Sequence, residues 1–350
     1  MMNRKKSKKH KALRHQLAQQ RATLKKRRAS SKKRKIGHLI QRQKNLQDLQ
    51  QAITAKTINK QAPANFSFVD NTDEILTYFN DCKTTLHKNK KIAIDISQIE
   101  NLSSDAIALL VAAVHAKSFT GNYGKVEGNA PQNQALAKLF IESGFYRYVD
   151  ADKRLKLASN TKENLLHKES NFNVQPDLAK NACQYGTTHV LNQNEPFPVL
   201  FEMLIEAMSN TNNHADKIKK GTIKWWLYAY NAHDENKTCY TFIDLGVGIF
   251  DSLPVGRYKK LTNLIGFTHN ADLVQDLLDG KIKSSEKQDQ DIRGKGIPQI
   301  ARNSASEYFG RAFIISNNVK INLKDRTTEK LSENFKGTML YWELINPKTE

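Results

Sequence analysis

Long apolar runs are missing from this 350-residue chain. The longest, Ala106 to Val114, has nine residues and stops at His115, well short of the about 20 that cross a bilayer, so no membrane span is expected. Cysteine is scarce as well. Cys82, Cys183 and Cys239 are scattered, with no CxxC pair and no metal-ligand spacing. That excludes a disulfide framework, suits a reducing cytoplasm and leaves each thiol as a small packing group. Acidic side chains are absent before Asp48, although residues 1–45 hold 18 of the 55 Lys and Arg. Of the formal net charge of +20, only +2 remains for residues 46–350. The basic start has no apolar stretch behind it, so a secretory signal is not expected.

Aromatics are absent from residues 3–35, where only Leu13, Leu17 and Leu24 are large and apolar. So little apolar surface cannot form a core, which predicts a disordered segment or a solvated helix. Lys and Arg at this density release counterions from a polyanion. Nucleic acid or another polyanion is therefore the expected partner of residues 3–44, without base stacking; a merely solubilising tail is the alternative. Leu39, Leu46 and Ile53, with Leu49 between, repeat at heptad-like spacing. They fit a helix packed on the next domain or a short dimer contact, which leaves an oligomer open. Gln61-Ala-Pro-Ala-Asn65 reads as a linker, so 1–62 is taken as arm plus linker.

Residues 63–152 alternate strand and helix patterns. Phe66 to Val69 and Lys91 to Ile96 read as strands, Asp73 to Leu86 and Gln132 to Ser143 as helices, the latter ending at Gly144. Asn101 to Val114 reads as a turn in which a serine, Ser103 or Ser104, or Asp105 caps an apolar helix. The order predicts a small α/β layer fold. The residues IAIDISQIENLSSDAIALLVAAV and NQALAKLFIESGFYRYVD make this passage resemble a STAS domain, the fold of anti-sigma-factor antagonists. The resemblance implies a switch serine at Ser104, but its usual Asp and Gly neighbours are replaced in Ser103-Ser104-Asp105-Ala106.

Residues 175–350 carry the chemistry. In PFPVLFEMLIEAMSNTNNHAD, Leu200, Met203, Leu204, Ala207 and Met208 mark the core face of a helix, while Glu202, Glu206, Asn210 and His214 recur every four residues along another. A carboxylate one turn from a carboxamide can orient a water and offer oxygen to a hard cation. The strand Cys239 to Asp244 runs into Asp244-Leu-Gly-Val-Gly-Ile-Phe250, and Arg293-Gly-Lys-Gly-Ile297 places two glycines ahead of a helix. Bare N–H groups at such a helix start can hold phosphate. Lys336-Gly-Thr338 opens a strand, Met339 to Leu344, while Ile223 to Tyr230, with Trp225 and Trp226, is another strand.

In this order and spacing, the four signals resemble the ATP-binding domain of the GHKL superfamily, whose fold is an α+β two-layer sandwich. Glu206, Asn210, His214 and Ala215 look like its N-box, DLGVGI like the first glycine box, RGKGI like the second and Gly337-Thr338 like the last. The resemblance implies ATP and Mg²⁺ as cofactors, Glu206 as general base and Asn210 as the magnesium ligand. Asp244 would take the adenine amine, with Gly246 and Gly248 shaping the base pocket. Arg293, Gly294, Lys295 and Gly296 would face phosphates, Thr338 would complete the site, and His214 would be phosphate-facing or structural. The polar run Lys281 to Asp291 fits a mobile lid.

Only six residues follow Leu344, so a superfamily branch with a transducer segment is not expected, and His167 lacks the flanking pattern of a histidine-kinase phospho-acceptor. What remains resembles the two halves of an anti-sigma partner switch in one chain. Three functions follow: an ATP-hydrolysing regulator with a protein partner, a serine/threonine kinase acting on a partner or on Ser104, and a nucleic-acid-binding adaptor with a vestigial ATP site.

Overall fold

The computed structural model describes residues 26, 30, 33–34, 36–159, 165–169, 174–215, 223–232, 235–253, 270–282 and 296–348. The chain is a mixed α/β protein in two compact units, 1–56 and 57–350. In the first, residues 36–54 form a helix, α1, on which Leu39, Leu46, Leu49 and Ile53 are exposed.

The second unit begins with β1 (Ile58–Gln61), which pairs in parallel with β3 (Lys91–Asp95); β3 in turn pairs with β5 (Lys125–Gly128). The division therefore falls ahead of the stretch 61–65. That stretch is not a free linker: Ala62 is buried and its N–H donates to the Asp95 carbonyl at 2.8 Å. The strand expected over 66–69 is only β2 (Asn65–Phe66), paired with β4 (Asn101–Leu102). Beyond it the chain turns, because the Phe68 and Val69 N–H groups donate to the buried Asp105 carboxylate at 2.6 and 2.9 Å. The two-stranded pairing is thus cut short by a side chain 36 residues away.

Helix α2 (Thr72–Asn89) spans the expected segment, and α3 (Ser104–His115) is the apolar run. Ser103 occupies the N-cap position of α3 but makes no capping hydrogen bond, so that expectation holds by position and not by chemistry. A short α4 (Lys117–Thr120) follows, then α5 (Gln134–Glu142), which starts two residues later than expected because Asn133 caps it through the N–H groups of Ala135 and Leu136. Next comes α6 (Lys153–Ala158).

The remaining strands form one antiparallel sheet, ordered β6 (Leu165–Glu169), β7 (Trp225–Ala232), β8 (Lys237–Asp244), β10 (Thr328–Leu344), β9 (Phe309–Asn322). His167 falls in β6, paired with Leu227. Side chains alternate across a strand, and here both sets are buried. Trp225, Leu227, Phe242, Leu340 and Trp342 join the core of α7 (Pro176–Leu191) and α8 (Pro198–His214). Trp226, Tyr228, Ile243, Met339 and Tyr341 join the core of α2 and α3. The expected two-layer sandwich is therefore a sheet covered on both faces, because the middle segment packs on the second one. Small helices α9 (Ile249–Ser252) and α10 (Val274–Leu278) precede α11 (Gly296–Ser304), which lies on the α8 side.

Specific contacts pin the layers. Trp226 meets the His115 and Tyr148 rings at 5.2 and 5.3 Å, and Phe68 meets Phe335 edge-on at 5.2 Å. Asn80 donates to Glu333 at 2.9 Å, Asp73 accepts from the Ser332 N–H at 2.8 Å, and Arg311 pairs with Asp70. All three cysteines are free and buried, and burial pushes the Cys82 and Cys239 thiols up to about 12, which leaves them unreactive. Because the two halves share one core, residues 57–350 are expected to unfold in urea as a single transition by fluorescence and circular dichroism. Trp226→Ala lowers their stability by about 3–5 kcal/mol; two separated transitions would show independent halves.

Candidate functional site

Helix α8 opens with Pro198 at its first turn, where a missing N–H is harmless. It buries Leu200, Met203, Leu204, Ala207 and Met208 as its spacing predicts. Along a second face Glu202 is exposed, and Glu206, Asn210 and His214 are half-buried. Burial, with a smaller push from Glu202, raises the Glu206 carboxyl above its ordinary range. That moves it toward the neutral pH at which a general base works best.

The N-terminus of α11 meets this face. A β-carbon on Gly296 would lie 2.6 Å from Asn210 Nδ2 and 2.9 Å from Glu206 Oε2. Only a glycine backbone can approach that polar pair so closely. Asn210 Nδ2 is buried and has no hydrogen-bond partner among the described residues. One turn back, Asn303 of α11 donates to Glu202 at 3.3 Å.

Asp244 ends β8 between its cross-strand neighbours Trp225 and Thr338 and is 4% exposed. Burial pushes its carboxyl up to about 6, against the opposing pull of two hydrogen bonds. Oδ1 accepts the Gly246 N–H at 2.9 Å and Oδ2 accepts the Thr211 hydroxyl at 3.0 Å. The glycine-bearing loop beyond is held from two sides. The Val247 N–H donates to the Ala215 carbonyl at 2.9 Å, joining the loop to the end of α8. Gly248 has φ +84°, and a β-carbon there would collide with the Asn317 side chain.

Asn317, Ser316 and Thr211 were not singled out in the sequence. Asn317 Oδ1 accepts the Phe250 N–H at 3.0 Å and Nδ2 donates to the Val247 carbonyl at 3.1 Å. Ser316 Oγ accepts the Ile249 N–H and donates to the Gly337 carbonyl, both at 2.8 Å. The available signal was the polar run Ser316-Asn-Asn318 straight after Phe313-Ile-Ile315, with Asn317 in the left-handed region at φ +53°. Thr211 was legible only as the residue after Asn210.

These groups surround a cavity of about 70 Å³, lined by Asn210, Thr211, His214, Asp244, Gly248 and Thr338 over apolar walls from Ala207, Phe242, Ile249, Ile297 and Leu340. Ligand pockets run from roughly 300 Å³ upward, so the cavity that the described residues enclose is smaller than a ligand-sized site. Gly246 does not line the cavity and meets it only through its bond to Asp244. Arg293, Gly294 and Lys295 lie outside the described residues, as does most of the run Lys281 to Asp291. Lys281 itself bridges Asp276 and Asp279 at 3.4 and 3.1 Å. Among the described residues no group of three His, Cys, Asp or Glu could hold a metal ion. No helix among them is long and apolar enough to cross a membrane. No protein-family model matches the chain, and no curated protein is found that matches it.

A carboxylate protonated more readily in the fold than in the unfolded chain favours folding at low pH and loses that contribution as pH rises through its folded value. Asp244 therefore opposes folding above about pH 6. Asp244→Asn keeps an acceptor for Gly246 and removes this penalty. Its melting temperature, relative to the parent protein's, is expected to rise between pH 4.5 and pH 7.5; a pH-independent difference would disprove the assignment.

Proposed function

We propose that the chain is an ATP-binding and ATP-hydrolysing regulator whose nucleotide site is of the GHKL type, with a STAS-like middle segment as its partner-facing layer. The observation that carries this reading is convergence. Asn210 on α8, Asp244 and Gly248 after β8, Ile297 on α11 and Thr338 on β10 line one cavity, and Gly296 stands against Asn210 and Glu206, although these residues are spread over 133 positions of the chain. A buried carboxylate with one oxygen on a backbone N–H and the other on a threonine hydroxyl suits an exocyclic amine, which donates to it while Phe242 and Leu340 flank the ring.

Glu206, with its raised carboxyl, is placed to orient and deprotonate an attacking water. Asn210 fits a hard-cation ligand: its carboxamide stands against the Gly296 backbone and carries a carbonyl oxygen of the kind such a cation takes. Magnesium, when bound, would spread the charge of the phosphate oxygens, the few protein ligands being usual because nucleotide phosphates supply the rest. The N-terminus of α11 offers N–H groups to those phosphates. A kinase acting on its own Ser104 is disfavoured, since Ser104 is 6% exposed at the start of a helix packed against β7 and β8. Residues 1–45 would bring the molecule to a polyanion.

Purified protein is expected to release phosphate from Mg·ATP, and Glu206→Ala to slow release by about 10²–10⁴-fold while retaining ATP binding. With γ-labelled ATP, label should appear in free phosphate; label on protein would establish the kinase instead. Failure to bind ATP would overturn the reading. Removing residues 1–45 is expected to abolish salt-sensitive binding to duplex DNA, measured by fluorescence anisotropy at 50 and 200 mM salt.

A further inference from the structure

A second and larger cavity, of about 450 Å³, lies on the opposite face of the antiparallel sheet, where α2, α3 and α4 meet β10. That volume is within the roughly 300–1,000 Å³ of small-molecule sites. Its apolar part combines Phe79 and Phe119, with ring centroids 5.9 Å apart, and Phe335 of β10 with the aliphatic Leu76, Leu109 and Leu245. Its polar part carries two lysines and one carboxylate among neutral amides and hydroxyls. Lys83 and Lys336 both line it, and among the described residues neither ammonium has a carboxylate within ion-pair distance. Their mutual repulsion, after the larger effect of burial, holds the Lys83 ammonium below its ordinary range. The one carboxylate of the lining, Glu333, is engaged by Asn80. His87 also lines it, with Nε2 2.9 Å from the Phe119 carbonyl.

Lys83 is half-buried and Lys336 is exposed at the mouth, and two like charges on one cavity repel each other unless an anion comes between them. We propose that this cavity is a second ligand site, for a small amphiphile with an apolar body and one anionic head, the body on the three phenylalanines and the head on Lys83 and Lys336. Nothing in this proposal requires the first cavity to take a nucleotide. The two cavities do share a junction. Leu245 and Lys336 line the second, and their chain neighbours Asp244 and Thr338, the latter two residues on, line the first. A ligand in the second cavity therefore bears on the loop and strand that hold Asp244.

The test uses the full chain and two fluorescent probes of similar shape, the anion 8-anilinonaphthalene-1-sulfonate and neutral N-phenyl-1-naphthylamine. The expected result is saturable binding of the anion at one enhanced-fluorescence site per chain. Lys83→Gln with Lys336→Gln is expected to weaken it about tenfold and to leave the neutral probe within twofold. Ser118→Trp, at an exposed rim position, narrows the cavity without touching the core and should weaken both probes. Unchanged affinity for the anion in the double variant, or in Ser118→Trp with its melting temperature retained, would overturn the proposal. So would equal losses of both probes in the double variant.

Discussion

The central strands of the antiparallel sheet are buried on both faces, and the rest of the molecule follows from that constraint. Strands such as Trp225-Trp-Leu-Tyr-Ala-Tyr230 place large apolar groups on both sides, and each must leave water for folding to proceed, at roughly 25 cal/mol per Å² of buried apolar surface. Helices α7, α8 and α11 cover one side and α2 and α3 the other. The middle segment is therefore not an appended module but the second half of the sheet's covering. Departure of the middle segment would leave Trp226 exposed on the sheet.

The same constraint builds the candidate site. Asp244 is carried to the end of a central strand with its side chain among α8 residues, where a carboxylate is poorly solvated and is held up to about 6. It is tolerated because Gly246 and Thr211 satisfy both oxygens. The loop that supplies Gly246 needs a fixed path, and Ser316 and Asn317 provide it from the neighbouring hairpin. Glycine at 248 and 296 is dictated by side chains packed where a β-carbon would sit.

Much of this was legible along the chain. Helix α8 was visible in the spacing of its apolar residues and in the four-residue stripe from Glu202 to His214, all of which lie on it. The strand before Asp244 and the helix after Lys295 were visible by alternation and by the glycines. Less legible was everything that depends on distant partners. The hairpin of β9 and β10 is far longer than the strand expected from 339–344, because polar residues such as Glu329 and Lys330 pair across an exposed end. The strand expected at 66–69 was ended by Asp105, a residue whose local setting read as a helix start.

By itself the sequence determined the charge division at residue 45, the periods of the main helices and strands, and which residue types stand at Glu206, Asn210, Asp244 and the glycines. These are local properties, set by spacing and by what each side chain is. Only the tertiary structure decided that both faces of the sheet are covered, that Asn317 and Ser316 brace the loop, and that Lys83 and Lys336 share a cavity 253 residues apart in sequence. The physical reason is that burial and hydrogen bonding act through space. A residue's pattern says which surface it must hide, while its partner is chosen by whichever surface elsewhere in the chain can cover it.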